Sequence, residues 1–317
     1  MNEKIEKSVF ISKMNKGMTF NDYFMISDFK KKIKRDGNPY LTVEFMDKSG
    51  RIEGKIWDNI IQFESILKPG IIYKVKGFVN EYQGKNELKI DGINIVGESE
   101  NLNMEDFEET PDFDTESVLS EMISLLKREV TSEYLKKLFD IFYKKYGKPF
   151  RIHFGAMKIH HAYPGGLLQH TFSVVKILLK LGQHYDVDLN VLLAGGLFHD
   201  LGKIDEFSIT PAVKITNRGG LLGHIVIGEN MFNELIAEID GFPSDLAEKI
   251  KHLIISHHGE KEFGSPEIPK TREALILHIA DLLDSKMDIF GKSINLSDED
   301  SLFTDYIPIL GRRLFKG

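Results

Sequence analysis

Over the first hundred residues apolar and polar positions alternate in short runs, whereas beyond about residue 115 the apolar positions recur every three to four residues. The first period is that of half-buried strands and the second that of helices facing a core. Five runs carry the strand pattern: 22–33 (DYFMISDFKKKI), 39–49 (PYLTVEFMDKS), 51–58 (RIEGKIWD), 71–82 (IIYKVKGFVNEY) and 86–97 (NELKIDGINIVG). The segments Arg35-Asp36-Gly37-Asn38-Pro39, Lys48-Ser49-Gly50 and Gln83-Gly84-Lys85-Asn86 lie between runs and supply the φ values that tight reversals need. A helix-like stretch from Asn59 to Leu67 separates the third run from the fourth.

Five strands with one helix after the third is the order of an OB-fold barrel, whose exposed face binds single strands or oligosaccharides. The second part predicts an all-α bundle with helices over 117–130, 132–147, 164–182, 188–202, 223–239, 244–259 and 272–290. Asp188 and Ser244 stand where helix caps belong. The expected fold class is therefore multi-domain, an N-terminal all-β OB-fold barrel followed by a C-terminal all-α helical bundle.

Charge sharpens the boundary. Residues 1–97 hold 17 Lys and Arg against 13 Asp and Glu, while 98–116 hold nine acids, no base and a proline. That stretch reads as a solvated acidic linker, which divides the chain into domains at 1–97 and 117–317 joined by residues 98–116. The total of −7 argues against a simple cationic nucleic-acid binder, yet the barrel segment alone is positive.

At 317 residues with 42% hydrophobic, the chain has matter for at least one sizeable core. It has no cysteine, which excludes a disulfide scaffold, thiolate metal ligation and a cysteine nucleophile. Any metal must then bind through histidine and carboxylate. The N-terminus shows no signal-peptide core and no apolar run reaches 18 residues, so the expectation is a cytoplasmic protein without membrane attachment.

All 11 histidines fall in the helical part, between His153 and His278. His170 lies mid-helix in GGLLQHTFSVV, His199 and Asp200 close the apolar run VLLAGGLFHD, and Asp281 sits inside ALILHIADLLD. A carboxylate among Leu, Ile and Ala is costly to bury unless paired or bound to a cation. His199 and Asp200, adjacent on a helix, point about 100° apart and reach one ion only near a helix end, where Gly202 relaxes the geometry.

These residues resemble the HD-domain superfamily of metal-dependent phosphohydrolases, whose pattern of His, His-Asp and a distant Asp falls on His170, His199, Asp200 and Asp281. The resemblance covers about residues 150–290. It implies further ligands at His224 and at His257 and His258, of which both bind metal or one contacts substrate, and a second ion sharing Asp200. Taken with the barrel, with AMKIHHAYPGGLLQHT and with HHGEKEFGSP, the chain resembles the YhaM family of bacterial 3′→5′ exoribonucleases over nearly its whole length. That resemblance implies a metal-dependent exonuclease on single-stranded RNA, with single-stranded DNA open as a second substrate.

Two divalent ions about 4 Å apart lower the pKa of a bridging water and hold the attacking and leaving oxygens of an in-line displacement. Imidazole and carboxylate suit Mn, Fe or Zn better than Mg, with Mn favoured by the family resemblance. Lys203 then steadies charge on the phosphoryl oxygens alongside Asp200, or is simply a cation past a helix end. His160, His161 and Tyr163 precede the first ligand helix and are candidates to meet phosphate or base; His278, three residues before Asp281, is a candidate partner for it. On the barrel, Lys32, Arg35, Tyr40 and Trp57 are the candidate strand contacts, basic residues tracking phosphates and aromatic rings stacking on bases. Two rivals remain: a small-nucleotide phosphodiesterase, which leaves the barrel without a task, and a non-catalytic single-strand-binding factor. The segment SLFTDYIPILGRRLF packs either on another copy, giving a homo-oligomer, or on its own core.

Overall fold

The computed structural model describes residues 5–34, 37–82, 84–96, 100–107, 111, 113–156, 161, 163–209, 213–295 and 301–316. They form two compact units, 1–110 with 209–213, and 111–208 with 214–317.

The first unit is a closed barrel of β1 (Thr19–Ile33), β2 (Pro39–Asp47), β3 (Gly50–Ile56), β4 (Ile72–Tyr82) and β5 (Lys85–Ile95), with α1 (Ile60–Ile66) between β3 and β4. β1 closes it by serving two neighbours. Its first half pairs with β4 from Thr19↔Phe78 to Met25↔Ile72, and its second half pairs with β2 from Met25↔Met46 to Ile33↔Pro39. A register irregularity between Ile26 and Asp28 bends the strand from one partner to the other. A short parallel pairing of β3 with β5, Gly54↔Leu88 and Lys55↔Lys89, completes the ring. Alternate positions turn Phe24, Ile26, Leu41, Val43, Phe45, Val75 and Leu88 into the interior, each fully buried.

Part of the acidic stretch departs from the solvated linker expected of it. Leu102 bridges to Ile5, the Tyr23 hydroxyl donates to Glu100 at 2.7 Å, and Phe107 is buried with Tyr23, Met25 and Met46. Lys48 holds the buried Asp106 carboxylate at 2.6 Å. Its few apolar residues have a barrel surface to cover, and two of its carboxylates, Glu100 and Asp106, are paired with barrel residues.

The second unit is helical: α2 (Thr115–Glu129), α3 (Glu133–Ile152), α4 (Gly166–His184), α5 (Leu189–Phe198), the short α6 (Lys203–Glu206), a two-stranded ribbon of β6 (Phe207–Ser208) and β7 (Lys214–Ile215), then α7 (Asn217–Ile236), α8 (Ser244–Ser256) and α9 (Arg272–Asn295). Asp188 caps α5 by accepting from Asn190 and Val191, while Ser244 makes no cap hydrogen bond. α7 begins earlier than its periodicity suggests because Thr216 caps it, and it kinks at Gly223, whose φ of 70° only glycine adopts easily. From Val191 to Phe198, α5 is apolar on every side and buried. Gly195 and Gly196 admit its neighbours: a Cβ on either would stand 2.3 Å from Leu253 or 2.5 Å from Leu178. Near the end of the chain, residues 301–316 form a small hairpin that buries Leu314 and leaves Phe303, Tyr306, Ile309 and Phe315 exposed. No described helix is long and apolar enough to cross a membrane.

Gly77 and Gly92 sit at one irregularity in the β4–β5 pairing. A Cβ on Gly77 would lie 2.2 Å from the Lys89 carbonyl oxygen, whereas one on Gly92 meets nothing within 4 Å. Gly77→Ala is expected to lower barrel stability by about 2–3 kcal/mol and Gly92→Ala by less than about 1 kcal/mol. Urea unfolding followed by fluorescence of Trp57, the single tryptophan, reads the barrel alone; equal effects of the two changes would refute the close approach.

Candidate metal centre

Five helices deliver the candidate residues to one place in the second unit. His170 lies in α4, His199 and Asp200 follow the end of α5, His224 follows the kink in α7, His257 and His258 follow α8, and Asp281 and Asp284 lie one turn apart in α9. Asp200 is 2% exposed and stands between two sets of imidazoles. Its Oδ2 is 3.4 Å from the Nε2 atoms of both His170 and His199; its Oδ1 is 3.6 Å from that of His224 and 3.7 Å from that of His257. His170 Nε2 is also 3.2 Å from Asp281 Oδ1. Ligand atoms of His170, His199 and Asp281 lie within 4.8 Å of one another, and so do those of His224, His257 and His258.

The rings are oriented from behind. His170 Nδ1 donates to Asp284 at 2.7 Å, His199 Nδ1 to the Gly196 carbonyl at 2.9 Å, His257 Nδ1 to Ile254 at 2.7 Å and His258 Nδ1 to Phe263 at 2.9 Å. His224 Nδ1 lies 3.2 Å from Glu206, which also accepts from the His224 backbone N–H at 3.1 Å. With every Nδ1 engaged, each imidazole is left to offer Nε2 as a ligand. Nε2 of His224 and of His257 is buried without a hydrogen-bond partner. A polar atom buried in that state costs about 1–3 kcal/mol, and a cation beside Asp200 removes the cost. The donor set fits two divalent ions, one on each side of a shared carboxylate.

The charges agree. Burial acts to raise the Asp200 carboxyl, but Lys203, with Nζ at 2.6 Å, and the imidazoles overcome it and hold the group well below the usual carboxylate range. Burial opposes ionisation of Asp281 as well, and the His170 hydrogen bond reverses it. His170 is pulled down by burial and raised further by Asp281 and Asp284, to about 9. Burial, then the neighbouring His258, push His257 well down, so it is neutral and ready to ligate.

Asp284, Ser173 and Glu206 were absent from the candidates read off the sequence. Asp284 is buried, accepts from His170, His161 and Ser173, and stays ionised through those bonds in spite of its burial. Its position three residues after Asp281, on the same helix side, was the available signal. His161, a candidate substrate contact, is 6% exposed with Nε2 2.9 Å from Asp284 and Nδ1 2.9 Å from the Tyr163 hydroxyl. It is thereby turned toward the protein, and Tyr163, half-buried, donates to Gln169. His278 donates to the His257 carbonyl at 2.9 Å in place of the expected pairing with Asp281. His160 and Arg35 lie outside the described residues. On the barrel, Tyr40 and Trp57 stack with centroids 4.8 Å apart, Lys34 Nζ stands 4.7 Å over Trp57, and Lys32 is exposed opposite Tyr40.

The HD domain family matches residues 167–286, and a family described as an OB-fold nucleic acid binding domain matches 25–96. A 3′-5′ exoribonuclease YhaM of Bacillus subtilis is 34% identical over 281 residues, 88% of each chain. The protein of that name from Oceanobacillus iheyensis is 33% identical over 304 residues, 94% of each chain. A domain of replication protein A from Methanococcus maripaludis is similar to 29% of this chain and 96% of its own, at 25% identity and a TM-score of 0.25.

The raised His170 fixes a sign. Relative to about 6.5 unfolded, a group at about 9 stabilises the ion-free fold below pH 6.5 and loses that contribution as pH rises through 9. The melting temperature of chelator-treated protein should therefore fall between pH 6.5 and 9.5. An ion must displace that proton, so Mn²⁺ binding at pH 7.5 should release about one proton at this side of the centre, read by calorimetry in buffers of different ionisation enthalpy. A buffer-independent heat would contradict the assignment.

Asp284→Asn keeps the shape but loses the charge that orients His170. Mn²⁺ affinity should fall about 10- to 100-fold with the helical circular dichroism unchanged; equilibrium dialysis with unaltered affinity would remove Asp284 from this role.

Proposed function

The chain belongs to the YhaM family of 3′-5′ exoribonucleases, and we propose that its centre removes nucleoside 5′-monophosphates from the 3′ end of single-stranded RNA, with DNA strands as a second substrate. The observation that supports this most is the shared Asp200, each oxygen facing a different set of imidazoles. Bound there, two divalent ions supply Lewis-acid and nucleophile-generating chemistry for an in-line phosphodiester displacement. His170, His199 and Asp281 hold one, His224, His257 and His258 the other, and Asp200 both. Donors of this mixture favour Mn, Fe or Zn over Mg, and Mn is the ion proposed.

The protein's own groups do the rest. Lys203 shares a cleft with Asp200 and Asp281, and its ammonium meets negative charge on the phosphoryl oxygens. Asp284 and Glu206 keep His170 and His224 aimed at the centre. The barrel binds single-stranded nucleic acid, and the Tyr40–Trp57 pair with Lys32 and Lys34 forms the proposed platform for bases and phosphates. The cytoplasm is the proposed location, as suits an enzyme that processes RNA. The exposed Phe303, Tyr306, Ile309 and Phe315 support assembly of several copies.

Metal-stripped protein given Mn²⁺ should shorten 5′-labelled single-stranded RNA one nucleotide at a time and release the label of a 3′-labelled strand at once. Asp200→Ala should lose at least about 1000-fold in rate, about 4 kcal/mol, while retaining the gel shift of the strand. Internal cleavage products, or an active Asp200→Ala protein, would defeat the proposal.

A further inference from the structure

A cleft of about 240 Å³ opens beside the centre, and its walls are of two kinds. Asp200 and Asp281, proposed to hold the ions, and Lys203, proposed to meet the phosphodiester, line it. Also lining it are two apolar residues, Phe263, strongly exposed at 68%, and Leu282, exposed at 37%. An isolated exposed Phe needs no explanation. This one shares a cleft with the candidate chemistry and with a second apolar residue, and stands on an anchored backbone. It ends the single turn Lys261–Phe263, which Gly264 closes at φ 85°, and its carbonyl accepts the hydrogen bond that orients His258. The backbone that carries the ring is thus tied to a candidate ligand while the ring's surface stays open.

We propose that Phe263, with Leu282 in the same cleft, is the seat for the base of the 3′-terminal nucleotide, the scissile phosphodiester lying at Lys203 and the ion-holding residues. This rests on the exonuclease reading. The carboxylates, imidazoles and Lys203 recognise phosphate and carry no information about the base, whereas an aromatic face stacks on every base and best on the larger purines. The seat fixes how far the strand enters, so that one nucleotide passes the reacting bond in each cycle, and it gives purine ends a lower KM than uridine ends.

The test uses full-length, Mn²⁺-loaded protein and RNA 12-mers that differ only at the 3′ end, carrying adenosine, uridine or an abasic ribose. For the wild type, KM should be about tenfold lower on adenosine than on abasic ends, in line with the stacking of one base. Phe263→Ala should raise KM about tenfold on adenosine ends, leave abasic ends within about twofold, and hold kcat nearly constant; Phe263→Trp should restore the wild-type pattern. An alanine variant that loses equally on all three ends acts through His258 and overturns the seat, as does one with unchanged KM. A wild type that shortens all three strands equally overturns the seat and leaves the exonuclease standing. A wild type that shortens none overturns both.

Discussion

A buried carboxylate is the constraint around which the helical unit is organised. Asp200 is almost wholly removed from water yet ionised, a state that several kcal/mol of desolvation oppose unless cations surround it. The fold supplies one cation of its own, Lys203, and turns four imidazole Nε2 atoms toward the two oxygens. Reaching that depth requires a carrier with no polar side chain along its buried length, and Val191–Phe198 of α5, with Gly195 and Gly196 against Leu253 and Leu178, is such a carrier. Gly202 completes the approach: a Cβ there would lie 2.0 Å from the His224 carbonyl oxygen. The core packing that buries α5 and the packing that brings His224 to Asp200 are one arrangement, so neither can be altered alone.

Helix ends explain how the rings acquire their orientation. The last carbonyls of a helix have no intrahelical donor. His199 and His257 each stand just past a helix end and donate Nδ1–H to the carbonyl three residues back, Gly196 and Ile254. One hydrogen bond therefore satisfies an orphan carbonyl and selects the tautomer that ligates through Nε2. His170 and His224 have no such local carbonyl, and there the fold uses carboxylates from elsewhere in the chain, Asp284 and Glu206.

The same distinction decides what could be read without coordinates. Whereas His224, His257 and His258 came from the family resemblance, barrel order, helical periodicity and His170, His199, Asp200 and Asp281 were legible because period, helix ends and residue type announce them locally. Asp284 was not, since its partners His161 and Ser173 lie more than 100 residues away and only the folded chain makes it a shared acceptor. The surroundings of His161 were hidden for the converse reason. Proximity to a ligand helix suggested an open contact, but a left-handed backbone at φ 49° and the pull of Asp284 turn the ring inward. In the acidic stretch, charge masked Leu102 and Phe107, whose burial depends on a barrel surface that composition alone does not reveal.

The two units present complementary kinds of recognition. Around Asp200 every group addresses phosphate or cation, and the metal chemistry is indifferent to which base follows. Bases are met by stacking on apolar faces, and the surfaces proposed for that are the Tyr40–Trp57 stack of the barrel and Phe263 with Leu282 in the cleft. Stacking carries little sequence information because every base has a π-face. An enzyme built from such contacts processes a strand regardless of its sequence and is limited mainly by whether the strand is single and its end free. Differences among 3′-terminal bases then become differences of binding, expressed in KM, while the buried carboxylate and its imidazoles set a common chemical step.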